Sequence, residues 1–179
     1  IAHVDGMRER TIIVNGVSKA YAMTGWRIGF IAAPEWIVKG CNKLQGQYTS
    51  GPCSVSQKAA EAAYTTSQEC VETMRKAFER RRDLIVELAS QIPGLEVNKP
   101  EGAFYLFPKC SSFFGKSYNG KTINNSTDLA MFLLEVGHVA TVGGDAFGDP
   151  YCFRMSYATS DDNIREALKR IKDTLALLS

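Results

Sequence analysis

Lys19 stands between two short apolar runs, in Gly16-Val17-Ser18-Lys19-Ala20-Tyr21-Ala22-Met23-Thr24-Gly25-Trp26-Arg27-Ile28-Gly29. A lysine amine condenses with an aldehyde only after losing its proton. Free lysine has a pKa of about 10.4, so the surroundings of a reactive lysine must favour the neutral form. A second cation nearby does this, and Arg27 follows in the same loop. Its planar fork captures a phosphate dianion through two hydrogen bonds, which suits that anion better than a lysine ammonium. The Ser18 hydroxyl offers one more donor, and the small residues around Lys19 and Gly25 let the backbone come close. Alone, a loop lysine is usually a solvated charge and an arginine such as Arg27 a structural residue paired with a carboxylate. Tyr21 and Trp26 read as core or wall residues. Amine chemistry on an aldehyde beside a bound phosphate is what Lys19 and Arg27, with Ser18 as a weaker contributor, could do together.

A second group lies in Cys152-Phe153-Arg154-Met155-Ser156-Tyr157-Ala158. A bidentate guanidinium at Arg154 would hold a carboxylate and orient the molecule that carries it. An arginine in a strand, taken alone, is a rim or salt-bridge residue. His3 and His138 are the only histidines, too few for a metal cluster or a nucleophile-His-Asp triad. No zinc-ligand spacing or Walker phosphate loop is present.

The elements that must position these residues are legible in outline. The β-branched run from Thr11 to Val14 and the apolar run from Ile28 to Ala33 are expected as two strands of a sheet buried on both faces, since neither alternates. Residues 34–48 are expected as a helix, closed by Gly51-Pro52. Ser54-Val55-Ser56-Gln57 and Thr66-Ser67-Gln68-Glu69 have capping-box spacing and predict two further helices. In the second, Val71, Met74, Phe78, Ile85 and Leu88 form one stripe, until Pro93-Gly94 stops it. Short strands are expected at Leu95 to Val97, Ala103 to Phe107, Val139 to Val142 and Cys152 to Tyr157. Helices are expected from Thr127 to Val136 and from Asp161 to Leu178, the latter with Ser160 as N-cap. Lys116 to Asn125 reads as an exposed polar loop.

The Lys19 stretch resembles the lysine signature of class I and II pyridoxal-phosphate (PLP) aminotransferases: a small residue and a serine before the lysine, then Gly-x-Arg-x-Gly beginning six residues later. The Arg154 strand resembles that family's Arg-x-Ser strand, and Pro100-Glu101-Gly102-Ala103-Phe104-Tyr105-Leu106-Phe107-Pro108 its Gly-Ala-Phe-Tyr strand, here also readable as plain β-strand core. Gly143-Gly144-Asp145-Ala146-Phe147-Gly148 resembles its Pro-Gly-x-x-Phe-Gly loop, with Gly143 where proline is common. Within the family the chain looks most like the bacterial type of aspartate aminotransferase. The resemblance implies a partial fold-type I α/β architecture: the last strands of a doubly wound PLP-binding domain (residues 1–52), interdomain helices with a long bridging helix (53–92), and a small α+β domain (93–179). It implies Lys19 as the catalytic and cofactor-holding lysine, Arg27 and Ser18 as phosphate ligands, and Arg154 as the ligand of the substrate carboxylate. It also implies transfer of an amino group between aspartate and 2-oxoglutarate, in a homodimer. The family's upstream pyridinium-pairing Asp, its Tyr and its Asn have no counterpart here, so these residues are expected to be an inactive C-terminal piece of the parent enzyme.

Composition sets the remaining bounds. Net charge is +2 from 21 basic and 19 acidic residues, with no basic stripe beyond Arg80-Arg81-Arg82, so neither nucleic acid nor a membrane surface is an expected partner. Five cysteines without a CxxC pair indicate no disulfide framework and fit a reducing, cytoplasmic compartment. The apolar edges of the two N-terminal strands predict self-association or a partner that covers them. Two other readings keep the fold: a PLP-binding effector domain of a transcription regulator, and an aminotransferase for alanine or an aromatic amino acid.

Overall fold

The computed structural model describes residues 1–179, which divide into two compact units, Ile1–Met74 and Arg75–Ser179. In the first, β1 (Ile13–Gly16) and β2 (Gly29–Ala32) pair antiparallel, with Gly16 opposite Gly29. α1 (Glu35–Tyr48) and α2 (Ser54–Thr65) follow. A Cβ on Gly16 would stand 2.9 Å from the Ile28 carbonyl oxygen, so only glycine lets the ribbon close there. The ribbon is not buried on both faces: Ile13, Val14 and Phe30 are exposed, Val14 at 76%. The unbroken apolar runs mark the two strands correctly, while burial depends also on what packs against them.

Cap positions also differ from the expected ones. α2 begins at Ser54 itself, with Cys53 at the cap and no side-chain cap bond. α3 (Glu69–Ser90) begins at Glu69, where the backbone N–H donates to Ser67 Oγ at 3.3 Å. The α2 cap thus falls one residue before the serine that the spacing suggested, and α3 starts at the glutamate that the spacing placed at its third position. Cys53, at an N-terminus whose Ser56 and Val55 N–H groups lower its thiol pKa, is exposed. Cys110 and Cys152 are buried, and desolvation first of all pushes them up to about 12 and about 11. With a thiol-specific chromogenic reagent at neutral pH, Cys53 is expected to react fastest, Cys41 and Cys70 next, and Cys110 and Cys152 only on unfolding. Burst labelling of Cys110 or Cys152 in the folded chain would contradict this ordering.

The second unit holds the core. α3 runs across the division and buries Leu84, Ile85 and Ala89. β3 (Tyr105–Leu106), β7 (Phe153–Ser156) and β6 (Val142–Gly143) form an antiparallel sheet with β7 in the middle. Phe153 and Met155 point into the core, while Arg154 is half-buried and Ser156 exposed, the period of two that a one-sided strand shows. The expected strand at Leu95 to Val97 is reduced to one bridge, Glu96 to Lys109. Lys116 to Asn125 is not a loop: β4 (Ser117–Tyr118) and β5 (Lys121–Thr122) form a hairpin. Asn119 and Gly120 both have positive φ, at 47° and 78°, as a type I′ turn requires.

α4 (Ser126–Glu135) packs on β6 and β7, and α5 (Asp161–Leu175) packs against α4. Their caps are Asn125, accepting from the Asp128 N–H at 2.9 Å, and Ser160, accepting from the Asn163 N–H at 3.2 Å. The α5 stripe Ile164, Leu168, Ile171 and Leu175, continued by Leu178, is buried throughout. The arginine cluster is spent on carboxylates: Arg80 and Arg81 meet Asp161 at 3.0 and 3.3 Å, and Arg82 meets Asp83 at 2.9 Å. No helix is long and apolar enough to cross a membrane.

Candidate functional site

The chain leaves β1 at Gly16 and returns to β2 at Gly29, so everything between them forms one closed loop. Val17 plugs its base with no exposed surface, and its N–H donates to the Ile28 oxygen at 3.4 Å. The loop then coils: the Ala22 N–H donates to the Lys19 oxygen at 3.1 Å, and a 3-10 turn follows at Thr24–Trp26. Ala22 and Arg27 take left-handed conformations, with φ of 53° and 54°. Such values are uncommon for residues with a Cβ and mark a backbone held by its surroundings.

This coil brings Ser18, Lys19 and Arg27 to the wall of one open pocket of about 500 Å³, with Asn15, Gly16 and Gly29 around them. Arg27 is exposed and has no carboxylate partner. One of its nitrogens, Nη1, donates to the Thr24 oxygen at 2.8 Å. That bond orients the guanidinium and leaves other donors of its fork for a ligand. The alternative reading of Arg27 as a buried, carboxylate-paired arginine does not describe this geometry. Tyr21 is a wall residue, donating from its hydroxyl to Gln68 Oε1 at 2.7 Å and meeting the Tyr64 ring edge-on at 5.1 Å. Trp26, expected in the core or wall, is 43% exposed.

Arg154 lies in the second unit, on the middle strand of its sheet. It makes no ion pair or hydrogen bond through its guanidinium. Its contacts are aromatic: Cζ lies 4.2 Å from the centre of the Tyr105 ring and 4.0 Å from that of Phe147. Sequence reasoning assigned Tyr105 to strand core and Phe147 to a loop, and neither to Arg154. The signal was present in the two family-like segments that contain them, but only the order β3-β7-β6 brings them to the arginine. Gly144 fixes the turn that carries Phe147. Its buried N–H donates to Ser126 Oγ at 3.0 Å, and a Cβ there would meet the Asp149 oxygen at 2.1 Å.

Comparison with known proteins adds an independent line. The sequence profile described as aminotransferase class I and II matches residues 1–171. The chain is 48% identical over 181 residues to the bifunctional aspartate aminotransferase and glutamate/aspartate-prephenate aminotransferase of Petunia hybrida, covering 99% of this chain and 38% of that one. It is 48% identical over 167 residues to the aspartate aminotransferase of Rhizobium meliloti strain 1021, covering 93% and 41%. Among solved structures it is similar to the aspartate aminotransferase from Rhizobium meliloti, with a TM-score of 0.94 and 46% identity over 98% of this chain and 44% of that one. It is also similar to the aromatic aminotransferase from Pyrococcus horikoshii OT3, with a TM-score of 0.88 and 40% identity, over 98% and 45%. The chain thus spans about two fifths of the length of the curated relatives it matches.

Proposed function

The chain belongs to the class I and II aminotransferase family, and from that premise we propose that it is the later part of a PLP-dependent enzyme that moves an amino group between aspartate and 2-oxoglutarate. The observation that carries the reading is the convergence of Ser18, Lys19 and Arg27 on one pocket. An amine for the cofactor's aldehyde and a guanidinium with unspent donors for its phosphate are the two groups that PLP needs from this stretch, so the residues present fit it. The names of the relatives support aspartate. The Petunia relative's name makes prephenate the second acceptor to assay.

Each residue has a stated task. Arg27, oriented by Thr24, and Ser18 hold the phosphate end. Arg154 takes the substrate's α-carboxylate edge-on and so fixes where the Cα–H bond points. Lys19 Nζ, once free of its own proton, accepts the proton from Cα and returns it elsewhere as general base and acid. When bound, PLP supplies the electron sink that accepts the charge left at Cα. We assign residues 1–52 to the large domain, 53–92 to interdomain helices and 93–179 to the small domain, in a cytoplasmic homodimer.

Borohydride reduction of the full-length PLP-loaded protein followed by peptide mapping is expected to place a phosphopyridoxyl mass on Lys19. A label on another lysine, or none, would remove the assignment. The 179 residues alone, less than half the length of their relatives, are expected to show weak labelling or none and no turnover. Robust transamination by the chain alone would overturn that part of the reading.

A further inference from the structure

The guanidinium of Arg154 is enclosed in a way that bears on which anions it accepts. Tyr105 comes from β3, on one side of β7, and Phe147 from the turn after β6, on the other. Arg154 Cζ stands over both rings, at 4.2 and 4.0 Å from their centres, well inside the roughly 6 Å reach of a cation–π contact. Each ring is itself supported: Phe104 packs on Tyr105 at 4.6 Å, and Phe107 meets Phe147 edge-on at 6.1 Å. Phe147 is 43% exposed, so core burial does not explain its position.

A guanidinium is flat. Its faces are weakly hydrated and its N–H donors all lie in the plane. Two rings centred 4.2 and 4.0 Å from Cζ crowd the guanidinium, which favours approach of a ligand along its edge and restrains rotation of the side chain before any ligand arrives. We propose that Tyr105 and Phe147 are positioning residues that make Arg154 select a flat, coplanar anion, a carboxylate, over tetrahedral anions such as phosphonate and sulfonate. A carboxylate places both oxygens in the guanidinium plane and nothing outside it. A tetrahedral anion of similar reach carries a further oxygen out of that plane, towards a ring. This inference rests on the aminotransferase reading of Arg154 and deepens it.

The test uses the full-length enzyme in steady state, with aspartate as substrate and its α-phosphonate analogue as competitive inhibitor. Phe147→Leu and Tyr105→Leu are each expected to raise KM for aspartate by about tenfold, with kcat within about twofold, because a restrained cation–π partner is lost while the reacting groups stay. The preference for carboxylate over phosphonate should narrow by about tenfold, the arginine being free to tilt. Phe147→Tyr and Tyr105→Phe should restore parental values. If the leucine variants fold and leave both KM and the carboxylate preference unchanged, or lower kcat without touching the preference, the proposal fails. Arg154→Lys separates the two readings. If it raises KM while the ring variants do not, the clamp alone is wrong. If it leaves KM unchanged, the carboxylate role of Arg154 falls and the clamp with it.

Discussion

Lys19→Ala is expected to lower kcat of the full-length enzyme by about 10⁴-fold or more, the scale on which removal of a group that is both covalent anchor and proton carrier acts. Folding should be untouched, because Lys19 is exposed and its loop is anchored by the buried Val17 and by the glycine pair at its base. Equal thermal midpoints for variant and parent therefore form part of the expected result. Lys19→Arg is the sharper comparison. It keeps a long cation in the same loop, yet a guanidinium stays protonated at any working pH and cannot take a proton from Cα. If charge were all that the position contributed, the arginine variant would keep its rate. Should either variant retain a tenth of parental kcat, Lys19 is not the proton carrier, and the labelling result above would show which residue is.

How much of this could be seen in the sequence follows from how local each feature is. The α5 cap and stripe depend on residues within one helix, from Ser160 to Leu178, and their register was fully legible. Ser18, Lys19 and Arg27 belong to one loop, so their spacing alone brought them together. Features that depend on a distant partner were not legible. Nothing in Ile12-Ile13-Val14 states whether anything packs on it, and the run proved exposed. The Asn119-Gly120 hairpin was missed because strands of two residues leave no alternation to read, although that dipeptide was itself the signal. The Arg154 clamp joins segments around positions 105, 147 and 154, and is visible only once the strand order is known.

The middle strand of that order carries a fully buried aromatic side chain. Phe153 is fully buried on the central strand, next to Arg154. It belongs to one buried core cluster with Leu133, Leu168 and Ile171, none more than 4% exposed, and a core so closely packed collapses only partly into the space a lost ring vacates. Phe153→Ala is expected to cost about 3–5 kcal/mol, the range for removing a buried phenyl ring whose cavity stays open. Urea denaturation of the 179-residue chain measures this directly, as a lower midpoint of the transition assigned to Arg75–Ser179. The contrasting variant is Val14→Thr, on a β1 position that is 76% exposed, expected to change stability by less than about 0.5 kcal/mol. Comparable losses from the two variants would mean that the ribbon carrying Lys19 is packed as tightly as the core behind Arg154. A large loss from Phe153→Ala alone places the stability of the chain in the second unit, where 21 of the 23 buried apolar residues lie, and leaves the Lys19 loop on a ribbon whose apolar faces still await a cover.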